Sequence, residues 1–152
     1  MYIVIVQVFL FSFYVSFIWA KYGIQPSLSE SWYILESKYR WMFGVILCWG
    51  VGVLHLLHNT TLFFLSGALL CFVGVASDYR KQKMTKIVHY IGAIGAIGLS
   101  ILQLAISGIY WPLLFTGGVT ILAFLKLLKN RYWWLEIIAF YSILGGIIQL
   151  KL

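Results

Sequence analysis

Residues Ser77–Ser100 read SDYRKQKMTKIVHYIGAIGAIGLS. Arg80, Lys81, Lys83 and Lys86 crowd together at the start of this stretch, and after Lys86 no charged side chain follows until Lys126. A segment that leaves a headgroup region and enters hydrocarbon changes in this way, because cations are held at the membrane surface while the core admits only apolar side chains. The stretch therefore reads as the start of a membrane span, with His89 just inside its apolar side.

The remainder of the chain agrees. Of its 152 residues 62% are hydrophobic and only 10% charged, against about a quarter charged in a soluble domain, and the mean hydropathy is +0.96. Trp41 to Ser77 and Ile87 to Leu125 contain no Asp, Glu, Lys or Arg. A span takes roughly 20 residues, so each tract is long enough for two spans and a turn. The first turn falls at His58-Asn59-Thr60-Thr61, where Asn or Thr caps the next helix. The second falls at Ser107-Gly108, ahead of Trp111-Pro112, since proline is tolerated in the first turn of a helix. With Tyr2 to Ala20 and Tyr132 to Leu150, the predicted architecture is an all-α, polytopic transmembrane helix bundle in a single integral membrane domain over residues 1–152. Its six spans are about 2–20, 41–57, 61–77, 87–106, 109–127 and 132–150. A transmembrane barrel needs short segments alternating in polarity, and these tracts are apolar on every face. The first span lacks the basic leader and small-residue site of a cleaved signal peptide, so it is expected to remain. Between the first two spans, Ser27 and Glu30 form a capping-box pattern, and either an amphipathic helix over 28–40 lying at the membrane surface or a single bent second helix is expected.

Six spans place Lys21, Lys38, Arg40, Arg80, Lys81, Lys83, Lys86, Lys126, Lys129 and Arg131 on one side and only Lys151 on the other. Short loops rich in Lys and Arg remain cytoplasmic, so both termini are expected to be extracytoplasmic. A pI near 9.5 is explained by topology and anionic lipid, not by nucleic acid, because the cations flank spans and do not line one soluble face. Membrane lipids are the expected partners. Gly92, Ala96 and Ser100 recur every four residues and make a smooth helix side for close approach. It serves either packing within the monomer, with Gly67 and Gly74, Gly117-Gly118 or Gly145-Gly146 as counterparts, or a homodimer seam. Cys48 and Cys71 read as buried reduced thiols, and Gln7, Ser66, Gln103 and Gln149 as hydrogen-bonders between helices.

Glu136 is the one acid inside a predicted span, where a carboxylate at the bilayer centre costs about 2.5–3.5 kcal/mol. It lies roughly 7.5 Å along the helix from Arg131, and His89 roughly 4.5 Å from Lys86. The topology brings His89, Glu136, Asp78, Ser29 and Glu30 to the same membrane face. A polar pocket there, ringed by Arg80, Lys81 and Lys83, suits an amphiphile with an anionic head, whose ligand set would be Arg80, Lys81, Lys83, His89 and Glu136. The favoured function is a non-enzymatic bundle that binds or organises lipid, or a membrane partner, at its cytoplasmic rim. The alternative is an intramembrane lipid hydrolase or transferase, with His89 as acid or base, Glu136 or Asp78 orienting it and Ser29 as nucleophile. A channel or transporter is the third, against which the spans carry few polar residues. His55 and His58 share a helical face, as a pair of metal ligands would, but the outer side offers no third ligand, so they are expected at a polar edge and no cofactor is implied.

Pro26-Ser27-Leu28-Ser29-Glu30, Gly74-Val75-Ala76 and His89-Tyr90-Ile91-Gly92-Ala93 resemble the P-x-I-S-[DE] and H-x-x-G-A steps of six-span Frag/DRAM/Sfk-type membrane proteins. That resemblance implies a six-span fold and a role in lipid remodelling, autophagy or plasma-membrane lipid organisation, with no agreed catalytic set. It also implies a Pro26 loop outside the membrane, the opposite of what the charge count implies.

Overall fold

A computed structural model describes all 152 residues. Its helices are α1 (Tyr2–Tyr22), a single turn α2 (Ser31–Ile34), α3 (Val51–Leu56), α4 (Thr61–Val75), α5 (Lys83–Ile106), α6 (Trp111–Phe124) and α7 (Arg131–Lys151). A 3-10 turn at Ser37–Tyr39 and a π-helical stretch at Phe43–Gly50 lead into α3. There is no strand. The chain is a multi-pass, integral membrane helical bundle. Four helical segments are long and apolar enough to cross a membrane: Tyr2–Tyr22, Ser37–Leu56, Lys83–Ile106 and Arg131–Lys151. The other two predicted spans are apolar but shorter, at 15 residues for α4 and 14 for α6. They rise roughly 22 and 21 Å, against a hydrocarbon core of roughly 30 Å.

The surface explains the composition. Large apolar side chains stand exposed along the outer faces, among them Phe9 and Phe13 on α1, Ile91 and Ile94 on α5, and Leu114, Phe115 and Ile121 on α6. Water would not tolerate an apolar surface of that extent on a monomer, whereas hydrocarbon does. Inside, each helix contributes one stripe: α1 buries Val4, Gln7, Phe11, Tyr14 and Ile18, and α6 buries only Pro112, Thr116, Val119 and Ala123.

Local signals place most helix ends. The Thr60 hydroxyl accepts from the Phe63 amide at 3.4 Å and caps α4. Pro112 sits in the first turn of α6, and Gly108 follows α5 at φ 83°, a conformation that favours glycine. The expected surface helix over 28–40 is not continuous. Ser27 supplies its half of the box by accepting from the Glu30 amide at 3.1 Å, but the Glu30 side chain turns away to Tyr79 and Arg80. Leu35 and Glu36 are extended at ψ 128° and 145°, so the segment divides into two short turns.

Small residues do set the packing, in a different pairing from the one expected. Gly67 lies against Gly52 and Leu56 of α3, and Gly74 against Cys48 and Trp49 of the π stretch. Gly92 instead meets Leu69 and Val73 of α4, while Gly145 and Gly146 meet Trp111 of α6, and Leu104 with Pro112, respectively. A methyl group added at Gly117 or Gly118 would meet nothing within 4 Å. Gly92, Ala96 and Ser100 are all buried within the chain. Cys48 and Cys71 are free thiols on neighbouring segments.

A methyl group added at Gly67 would come within 2.5 Å of the Gly52 carbonyl oxygen and 2.9 Å of the Leu56 amide, both backbone atoms that cannot step aside. Gly67→Ala should therefore destabilise the bundle by about 1–3 kcal/mol, read as a lower thermal midpoint in detergent. Gly118→Ala, with open space around it, should leave that midpoint unchanged or raise it.

Candidate functional site

The three basic connections meet at one end of the bundle. After α1 the chain turns at Gly23, φ 75°, and runs across the start of α7. There the Trp133 amide, a first-turn donor without a helical partner, donates to the Pro26 carbonyl at 3.1 Å. Asn130 Nδ2 donates to the Ile24 carbonyl at 3.4 Å. One turn further along α7, Glu136 Oε2 accepts from the Leu28 amide at 2.6 Å. A carboxylate that an unaided span would carry at a cost is thus compensated by a backbone donor from the loop.

Ser29 follows immediately, and its Oγ lies 2.9 Å from His89 Nε2. The other ring nitrogen of His89 lies 3.2 Å from the carbonyl of Ala76, the residue that ends α4. That carbonyl only accepts, so Nδ1 carries the proton, and the lone pair on Nε2 receives the Ser29 hydroxyl proton. The Tyr79 ring stacks on the imidazole, with centroids 4.2 Å apart. The Tyr79 hydroxyl donates to Glu30 Oε1 at 2.6 Å. Burial first, and the adjoining Glu30 second, push the Tyr79 phenol well above its ordinary range, so it remains a donor. Arg80 closes the group by pairing with Glu30 while lying over the Tyr33 ring at 4.3 Å.

Leu28, Ser29, Glu30, Tyr79, His89 and Glu136 border a cavity of about 600 Å³, within the range of small-molecule sites. The loop Pro26–Glu30 covers its basic end. Its walls are mostly apolar, from Phe43 and Leu47 of the π stretch, Leu70 and Val73 of α4, Ala93 and Ile97 of α5, and Leu135 and Phe140 of α7. α5 and α7 touch near Leu104 and Gly146. The cavity lies between their basic halves, flanked there by Tyr90, Ile94 and Tyr132, all three exposed on the outer surface.

Of the residues singled out from sequence, Ser29, Glu30, His89 and Glu136 line this one cavity. His89 and Glu136 hold adjacent loop residues and do not bond each other. Asp78 lies outside the cavity lining and pairs with Lys81 at 2.6 Å. Arg80, Lys81 and Lys83 are likewise not part of the lining, and Lys83 has no acidic partner. Farther along the same end, Lys21 at 2.7 Å and Lys38 at 3.1 Å flank Glu36 and hold its carboxyl below the usual range. That group is exposed and contributes little to stability.

Nearer the other end the histidines are not at an edge. His55 and His58 are buried in a chain of hydrogen bonds whose direction is determinate. Ser66 donates to the Ala96 carbonyl at 2.6 Å, so the Ser100 hydroxyl donates to Ser66 at 2.7 Å and His55 Nε2 donates to Ser100 at 2.9 Å. His55 Nδ1 then accepts from Gln7 Nε2 at 3.2 Å, and His58 Nε2 donates to Gln7 Oε1 at 2.9 Å. No three His, Cys, Asp or Glu side chains gather as metal ligands anywhere in the chain. Gln7 and Ser66 thus bond between helices, and Gln149 accepts from the Trp111 indole at 2.7 Å. Gln103 reaches only Ser107 at the end of its own helix. The position of Tyr79 ten residues before His89, across a loop, carries no signal of the stacking.

Removing the acceptor under the Leu28 amide strands a backbone donor, which costs about 1–3 kcal/mol. Glu136→Ala should lose that much stability, whereas Glu136→Gln retains an acceptor oxygen and should keep most of it, as read by thermal unfolding in detergent. Gln7→Leu should cost a similar amount by stranding His55 Nδ1 and His58 Nε2, without altering the cavity at the basic end.

Compared with family models, curated proteins and solved structures, the chain matches none.

Proposed function

We propose that the protein binds one membrane amphiphile, with its chains in the cavity between α5 and α7 and its polar head at the basic end. One observation carries this reading: a cavity of about 600 Å³ with apolar walls and a single polar end formed by Ser29, Glu30, His89 and Glu136. That distribution of polarity matches an amphiphile and neither a sugar nor an ion. The exposed Tyr90, Ile94 and Tyr132 beside the cavity offer entry from the surrounding hydrocarbon, so a lipid need not cross water. In this reading all six apolar helices span, the two short ones by local thinning of the bilayer. Cationic loops then place the basic end in the cytoplasm and both termini outside. At this end of the bundle Arg80, Lys81, Lys83 and Lys86 outnumber Glu30, Asp78 and Glu136; the four cations stand outside the cavity lining, so an anionic headgroup would meet them at the membrane surface.

Native mass spectrometry of the purified chain should show a retained amphiphile. Ala93→Trp, which fills the cavity from α5, should abolish retention while far-ultraviolet circular dichroism remains that of a helical bundle. A wild-type chain free of lipid, or a filled variant carrying the same complement, would overturn the reading. Cysteine substituted at Lys83 should be protected from impermeant maleimide in intact cells. Labelling from outside would reverse the orientation.

A further inference from the structure

Ser29 differs from Ser27 and Ser31, the two serines that flank it in the loop. The Ser27 hydroxyl is occupied by the Glu30 amide. Ser31 accepts from Tyr14 at 2.5 Å and donates to the Leu28 carbonyl. The hydroxyl of Ser29 has one partner, and that partner is a base: His89 Nε2 at 2.9 Å. The far side of the same ring is held at 3.2 Å by the Ala76 carbonyl, which sets the tautomer in which Nε2 accepts a proton. This is the arrangement of an activated hydroxyl nucleophile: hydroxyl to imidazole, and imidazole to an orienting acceptor. A backbone carbonyl stands here where a carboxylate usually does. Neither Glu136 nor Asp78 fills that place, since Glu136 holds the Leu28 amide and Asp78 holds Lys81.

The loop is held on both sides of the nucleophile. Leu28 is bonded through its amide to Glu136, and the Ser31 amide donates to the Leu28 carbonyl at 3.1 Å. The Tyr79 ring lies against the imidazole and resists its rotation. Such restraint is what a reactive pair requires, because activity falls steeply with misplacement. The site also lies at the right depth. His89 is less than two turns inside α5, near the boundary where headgroup and hydrocarbon meet, which is where the ester linkages of an amphiphile lie when its chains occupy the cavity.

We infer that Ser29 and His89 form a nucleophile and general base that cleave the acyl ester of the amphiphile held in the cavity, an inference that rests on the lipid-binding reading above. Ser29 Oγ adds to the ester carbonyl carbon as its proton passes to His89 Nε2. The bond from that carbon to the alkoxy oxygen then breaks, the imidazolium protonates the departing alkoxide, and an alcohol leaves with the acyl group on Ser29. Water, entering from the basic end, adds to the acyl carbon with His89 again taking the proton. The bond from the acyl carbon to Ser29 Oγ then breaks, Nε2 returns the proton to Oγ, and a carboxylic acid is released. No oxidant or reductant enters. The pair as a whole is restored.

The probe is a fluorophosphonate with a long alkyl chain, which phosphonylates an activated serine and releases fluoride. With the full chain in nanodiscs, intact-mass analysis and peptide mapping should find one adduct, on Ser29. It should be absent in Ser29→Ala and form at least tenfold more slowly in His89→Gln, while both variants keep the far-ultraviolet circular dichroism and thermal midpoint of a folded bundle. A diacylglycerophospholipid labelled in its acyl chains should release labelled fatty acid with the wild-type chain and not with Ser29→Ala. A wild-type chain that retains amphiphile yet forms no Ser29 adduct overturns the acyl-transfer inference and leaves the lipid-binding reading intact. An adduct that forms equally fast in folded His89→Gln also overturns it. Loss of both retention and adduct overturns both readings.

Discussion

The contact between the Glu136 carboxylate and the Leu28 amide joins residues 108 apart in sequence, and the geometry of the basic end follows from it. Neither partner is tolerable alone at the edge of hydrocarbon: an unpaired carboxylate is costly there, and so is a backbone amide with no acceptor. Together they bind the connection after α1 to the first turns of α7. With Leu28 held, Ser29 falls at His89, Ser31 at Tyr14, and Glu30 at Tyr79 and Arg80. Three chain segments remote in sequence thereby become one polar surface.

The cavity arises from an imbalance in helix packing. Gly52 and Gly67 let α3 and α4 approach backbone to backbone, and Gly74 admits the Cys48 and Trp49 side chains, so that close contact replaces the hydrophobic effect that lipid does not supply. α5 joins them through Gly92 against Leu69 and Val73. α7 is held to α5 near Leu104 and Gly146, at the far end from the basic loops, so space remains between their basic halves. The loop Pro26–Glu30 covers that space at the surface and its walls stay apolar. The result is a cavity polar only at one end, with the exposed Tyr90, Ile94 and Tyr132 beside it.

Membrane character, the apolar helices and the gathering of Ser29, Glu30, His89 and Glu136 at one end were legible in the sequence, because tract length and the position of charge mark apolar segments and the connections between them. The Thr60 cap and the break at Gly108 were legible for a local reason, since a missing amide partner or a positive φ restricts which residues fit. The surface helix over 28–40 was misread. Its capping serine was correct, but the Glu30 side chain found a stronger partner in Arg80 from a distant loop, which local pattern does not contain. The small residues were recognised as packing surfaces, and of the counterparts offered for α5, Gly146 does meet its Leu104, whereas Gly67 and Gly74 meet the segment Phe43–Leu56 instead. His55 and His58 were placed at an edge because their partners Gln7 and Ser100 lie on other helices.

The sequence by itself therefore determined the solvent of this protein, its all-helical class and the end of the bundle at which its polar residues lie, since hydropathy and charge act on whole segments. Only the tertiary structure decided that His89 faces Ser29 and not Glu136, that Asp78 turns outward to Lys81, and that a cavity opens between α5 and α7. The reason is rotational. A helix apolar on every face bears no mark of which side meets its neighbours, so hydrogen-bond partners are chosen by packing at depth, where an unpaired polar group is too costly to leave.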